Sequence, residues 1–82
     1  MDDPFKLDLH GYDEHYIRDV LDTFYEDAGK YGRRLIEIRM SGAMARKLQL
    51  DPGADPSYRG VPITVGPMDF PDTIEIAMAP VQ

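Results

Sequence analysis

The stretch DEHYIRDVLDTFYEDA, residues 13–28, decides the fold of this chain. Its apolar residues recur at the three-and-four spacing of one helix face. They are Tyr16, Ile17, Val20, Leu21, Phe24, Tyr25 and Ala28. The pattern predicts an amphipathic helix with Asp13 as its N-cap and Gly29 as the residue just past its end. The rest of the chain must supply a surface that buries this apolar face.

Four other stretches alternate apolar and polar residues, which is the pattern of strands with one buried face. They are predicted at residues 5–10, 35–40, 61–65 and 73–78. In the second of these strands, Ile36, Ile38 and Met40 are expected to face the core. A frayed end is predicted for residues 1–4.

A second helix is predicted at residues 42–50, with Ser41 as its N-cap. Residues 51–60 are rich in turn formers and are predicted as a loop. Residues 66–72 are predicted as a long hairpin turn between the last two strands. Pro62 cannot donate to a strand ladder, so it favours an edge or an unpaired position.

This order, βαβαββ, predicts a single α/β domain over residues 1–82. Because every strand alternates, only one face of the sheet needs a cover. We therefore expect a two-layer sandwich, a mixed four-stranded sheet with both helices on one face and the first two strands parallel. Seven polar residues are expected on the open face: Lys6, Asp8, His10, Glu37, Arg39, Thr64 and Glu75.

Composition bounds the function more loosely than the fold. The 82 residues carry a formal net charge of −6, which argues against general nucleic-acid binding because phosphates need a basic surface. The chain has no cysteine, which excludes disulfides and thiolate metal sites. No apolar run is long enough to cross a membrane, and Asp2 and Asp3 argue against a signal peptide. These features predict a soluble, cytoplasmic protein that needs no cofactor.

Two groups of residues are candidates for binding a protein partner. Asp19, Asp22 and Glu26 lie along the outward face of the predicted first helix. Tyr58 and Arg59 lie in the predicted loop, and both residue types are favoured interface anchors. The alternative is that the acids only solvate the helix and that the tyrosine packs locally.

Asp8 and His10 stand two apart on one strand and point to the same face. A carboxylate beside an imidazole can support acid–base chemistry, although both residues could equally be ordinary polar groups on a solvated sheet. His15, Asp19 and Asp22 share one side of the helix, but such an open set is more typical of a solvated face than of a metal site. No metal site is predicted.

The run Leu7-Asp8-Leu9-His10-Gly11 followed by a long amphipathic helix resembles the start of the Smr domain family, which also has a βαβαββ order. Members of that family are implicated in nucleic-acid binding and, in some cases, in endonuclease activity. The resemblance implies Asp8 and His10 as the acidic and imidazole members of a site. The second motif of the family, HGxG, would fall at residues 40–43, where only Gly42 matches.

The second half of the chain resembles a hairpin pattern found in small phage-encoded proteins, on the residues GVPITV at 60–65 and FPDTIEI at 70–76. That resemblance implies a compact protein that acts by binding a host protein. Taken together, the residues predict a small acidic, non-enzymatic protein-interaction module, and a phage-encoded inhibitor is its more specific form. The alternatives are a Smr-like nucleic-acid binder or endonuclease and a structural subunit that forms a homodimer through its edge strand.

Overall fold

The computed structural model describes residues 5–80, so the frayed end predicted for residues 1–4 lies outside the described residues. Two helices and five strands are present in this range, with one 3-10 turn at Pro52–Ala54. The elements in chain order are β1 (Phe5–Asp8), α1 (Glu14–Lys30), β2 (Arg33–Met40), α2 (Gly42–Lys47), β3 (Ser57–Tyr58), β4 (Val61–Val65) and β5 (Thr73–Pro80).

The strands form one mixed sheet in the order β1-β5-β2-β4-β3. β1 and β2 both run antiparallel to β5, which lies between them, so these two strands are parallel as predicted. Apolar residues of both helices and of the central strands share one core, which confirms a two-layer α/β sandwich with the helices on one face. The fully buried members of this core include Ile17, Leu21, Met44, Ile38, Ile74 and Ile76.

The fifth strand, β3, was not predicted from sequence. It lies within the predicted loop 51–60 and pairs antiparallel with β4. Arg59 and Gly60 link the two strands with φ angles of 52° and 85°, the left-handed geometry of a tight two-residue hairpin. This turn brings Ser57 opposite Pro62 and makes β3 the edge of the sheet.

The hairpin predicted at residues 66–72 is wrong. β4 and β5 do not pair with each other, because β2 lies between them, parallel to β4 and antiparallel to β5. Residues 66–72 therefore form a crossing loop past the end of β2. Ser41 fastens this loop, since its Oγ donates to the carbonyl of Pro71 at 2.6 Å and also accepts from the Met44 amide at the start of α2.

A β-bulge in β2 overturns the predicted inward orientation of Ile36. The β2–β5 register shifts between Leu35 and Glu37, so Ile36 is the extra residue on its strand. Leu35 is therefore buried, whereas Ile36 is 43% exposed. Ile38 and Met40 face the core as predicted.

The C-terminal ends of both helices differ from the sequence prediction. Asp13 caps α1 by accepting from the Tyr16 amide at 2.8 Å, as predicted, but the helix continues through Gly29 and ends at Lys30. Gly32, with φ of 70°, takes the left-handed position instead. α2 stops at Lys47 rather than at residue 50, because Gln49 adopts a φ of 58°.

Matched Ile→Val substitutions test the bulge. We expect Ile38→Val to lower the free energy of unfolding by about 0.5–1.5 kcal/mol, because Ile38 is fully buried. Ile36→Val should change it by less than ~0.5 kcal/mol, because that side chain is largely outside the core. Urea denaturation of the two variants measures both values. Equal losses at the two positions would contradict the bulge.

Candidate functional site

Four of the five residues predicted to bind a partner lie close together in the structure, but they contact one another. Tyr58 on β3 donates its hydroxyl to the carboxylate of Asp22 on α1. Arg59 places its Nη1 3.6 Å from Asp22 Oδ1 and 3.9 Å from Glu26 Oε1. Its guanidinium also lies 4.2 Å from the centre of the Tyr25 ring. We call the set of Asp22, Glu26, Tyr58 and Arg59 the β3–α1 contact.

The β3–α1 contact changes the ionisation of Tyr58. Partial burial raises the pKa of Tyr58 to about 12, and the hydrogen bond to Asp22 and the charge of that carboxylate act in the same direction. A raised tyrosine pKa means that the folded protein prefers the neutral phenol. The resulting stabilisation is complete below pH about 10 and is lost as the pH rises from about 10 to about 12.

Asp19, the remaining predicted partner-binding residue, points outward from α1 and is not part of the β3–α1 contact. Its carboxylate is 3.5 Å from His15 Nε2, and both side chains are mostly exposed. Asp19 lines a hollow together with Tyr16, Val20, Thr23 and Phe24. This side of the helix is not covered by β3.

A second, larger hollow of about 590 Å³ continues along the same side of α1 and shares Thr23 and Phe24 with the first. Its apolar lining includes Phe5, whose ring meets the Phe24 ring edge-on with 5.9 Å between centroids. Asp27 also lines this hollow. We call the side of α1 formed by Tyr16, Asp19, Val20, Thr23, Phe24 and Asp27 the open flank of α1.

The open face of the sheet carries its charges in neighbouring opposite pairs. Glu75 lies between Lys6 and Arg39 in the strand register, and its Oε1 is 3.9 Å from Lys6 Nζ. Glu37 accepts a hydrogen bond from Thr64 at 2.9 Å and is 4.0 Å from Arg39. This alternation leaves no single-sign patch among these residues for a charged ligand.

Asp8 and His10, the pair implied by the Smr resemblance, do not share a strand as predicted, because β1 ends at Asp8 and His10 lies in the turn that follows. The imidazole also has a different partner. Asp8 accepts from the backbone amide of His10 at 3.1 Å. The His10 Nδ1 instead lies 2.6 Å from Asp72 Oδ2. That hydrogen bond, followed by the charge of Asp72, raises the pKa of His10.

The sequence analysis missed Asp72 because this residue lies in the crossing loop, which was predicted as a hairpin turn. The Leu9 amide donates to the Asp72 carbonyl at 2.9 Å, and this contact holds the end of β1 beside the start of β5. His10, Asp72 and the exposed ring of Phe70 line a cleft together with Asp8. The arrangement is a histidine oriented by a carboxylate, with its other ring nitrogen available for proton transfer.

The three residues considered for a metal site from sequence do not converge. Asp22 belongs to the β3–α1 contact, whereas His15 and Asp19 pair on the exposed surface. Over residues 5–80, no group of three His, Asp or Glu side chains is placed to hold a metal ion. Within the same residues, neither helix has the length and apolarity needed to span a bilayer.

No protein-family model matches the chain, and neither the curated proteins nor the solved structures include a match to it. The resemblances therefore rest on their quoted residues and on the order of the elements.

Titration of Tyr58 tests the β3–α1 contact. We expect Asp22→Asn to lower the pKa of Tyr58, because it removes a carboxylate that stabilises the neutral phenol. The difference in tyrosinate absorbance between each protein and its Tyr58→Phe counterpart isolates this one group. Asp19→Asn makes the same charge change outside the contact and is the matched control. An unchanged Tyr58 pKa in Asp22→Asn would contradict the contact.

Proposed function

We propose that this chain is a non-enzymatic protein-interaction module that binds a basic protein partner through the open flank of α1. The observation that carries the proposal is the difference between the two sides of this helix. One side is covered by β3, and its acids Asp22 and Glu26 face Arg59. On the other side aromatic surface is exposed, and the acids Asp19 and Asp27 have only exposed partners on the same helix, His15 at 3.5 Å and Lys30 at 3.7 Å. Exposed pairs of this kind contribute little, so a partner can displace them.

The chemistry of the open flank suits an interface. Tyr16 is 47% exposed although it belongs to the apolar stripe, and it stacks on Tyr12 with 4.3 Å between ring centroids. Aromatic side chains that expose much of their surface are preferred anchors of protein interfaces. The carboxylates at the rim, together with the net charge of −6, favour a partner with a basic surface and speed its association.

A phage-encoded inhibitor of a host protein is a more specific form of this proposal. It derives from the sequence pattern of residues 60–76. In the fold these residues are not a hairpin, because β4 and β5 each pair with β2 and not with each other, so this form has the sequence pattern alone behind it. The proposal of a protein-binding module does not depend on it.

Charge reversal on the open flank tests the function. We expect Asp19→Lys combined with Asp27→Lys to weaken capture of basic proteins from a cell lysate by roughly tenfold, about 1.4 kcal/mol, and to reduce its salt dependence. The control is Asp69→Lys, because Asp69 lies beside Lys6 and Arg39 on the opposite face of the sheet. Equal capture by the unsubstituted protein and the double variant, or an equal loss in Asp69→Lys, would refute the proposed surface.

A second candidate function is a Smr-like nuclease, which is favoured by one specific observation. Asp72 holds Nδ1 of the exposed His10 imidazole, and His10 lines the cleft, as a general base oriented by a carboxylate would. Asp8 and His10 would be the residues implied by the resemblance, and Asp72 would position His10. In this case the function would be nucleic-acid cleavage.

Cleavage assays on labelled single- and double-stranded DNA and RNA, with Mg²⁺ or Mn²⁺, test this second candidate. We expect His10→Ala to abolish cleavage. Asp72→Asn should move the acidic limb of the pH–rate profile to lower pH, because the imidazole then loses the contact that raises its pKa. Lys6→Ala, on the same sheet face, serves as the control. Absence of cleavage by the unsubstituted protein on every substrate would exclude the nuclease.

A further inference from the structure

The outer edge of β1 has backbone groups that no other strand among residues 5–80 pairs with, because β1 ends the sheet order. The Leu9 amide donates toward β5, at the Asp72 carbonyl. In an antiparallel ladder, the residues whose backbone groups point to the partner alternate along the strand. The backbone amides and carbonyls of Phe5 and Leu7 therefore also point toward β5, whereas those of Lys6 and Asp8 point outward.

We infer that the basic partner binds as an extended segment that adds to the outer edge of β1 as a further strand, which rests on the proposed function above. Strand addition supplies main-chain hydrogen bonds, and pockets for alternate side chains supply specificity. The outward groups of Lys6 and Asp8 provide the hydrogen bonds. The open flank of α1 provides the pockets, because the contact between Phe5 and Phe24 shows that it lies beside β1.

The spacing of Asp19 and Asp27 defines the segment. Asp19 and Asp27 are eight residues apart on α1, which corresponds to about 12 Å along a helix axis. Side chains at positions i and i+4 of a strand are about 13 Å apart on one face. A segment with Lys or Arg at i and i+4 therefore matches the axial spacing of the two carboxylates. An apolar side chain at i+2 then faces the hollow lined by Phe5 and Phe24.

A second copy of the chain is a poorer occupant of this edge. In a symmetric pair of β1 strands, the open flanks of the two α1 helices would face each other. The acids Asp19 and Asp27 of both copies would then lie at one interface, with Arg33, which lines the same hollow as Asp27, as a nearby cation. Like charges that approach across an interface are destabilising. The net charge of −6 on each copy opposes the same assembly.

Lys6→Pro tests strand addition directly. Proline removes the outward amide of Lys6 but spares the ladder to β5, and it is tolerated on an edge strand whose N–H faces solvent. The probe is a synthetic peptide with lysine, leucine and lysine at alternate positions and threonine between them. We expect Lys6→Pro to weaken peptide binding by at least about tenfold. Lys6→Ala, which keeps the amide, should remain within about threefold of the unsubstituted protein.

Peptide variants keep the test decisive if Lys6→Pro does not fold. N-methylation of alternate peptide amides should abolish binding for one set of positions and leave it for the other, because only one set faces β1. Equal binding of both methylated peptides would rule out strand addition. So would the absence of peptide binding to the unsubstituted protein, or light scattering that shows a dimer which Lys6→Pro dissociates.

The outcomes separate this inference from the proposed function. If Asp19→Lys with Asp27→Lys weakens peptide binding but Lys6→Pro does not, the open flank binds the partner without strand addition. If neither change weakens binding, both the inference and the proposed surface are wrong. Loss of binding in both supports the two together.

Discussion

The burial of the apolar stripe of α1 against the centre of the sheet is the constraint on which the rest of the structure depends. Ile17 and Leu21 are almost fully buried, and they share a core with Ile38 of β2 and Ile76 of β5. One helix can bury only one stripe, so two sides of α1 remain beside it. The chain covers one of these sides with β3 and leaves the other exposed.

The two sides of α1 differ because the two edges of the sheet differ. At one edge the tight turn at Arg59 and Gly60 pairs β3 with β4, and Tyr58 and Arg59 contact Asp22 of α1 there. At the other edge β1 ends the sheet, and the open flank lies beside it. Acidic residues with the same appearance in the sequence thus have different environments: Asp22 contributes to the fold, whereas Asp19 remains on an exposed surface.

The features that could be predicted from the sequence are those that local spacing controls. The Asp13 cap, the buried stripe of α1 and the alternation in β4 and β5 depend on neighbours a few residues away. The bulge at Ile36 and the pairing of β4 and β5 with β2 depend on partners distant in the chain, so the alternation alone indicated a wrong face and a wrong hairpin. Asp72 was missed for the same reason, since only the crossing loop places it beside His10.

The most direct test of the central claim is an NMR titration of the labelled protein with the alternating lysine–leucine–lysine peptide. We expect amide shift changes at Lys6, at Asp8 and along the open flank of α1, with Tyr58 and Arg59 unaffected. Shift changes centred on the β3–α1 contact, or on the cleft of His10 and Asp72, would contradict it. The peptide would then have bound a surface that the fold already uses in another way.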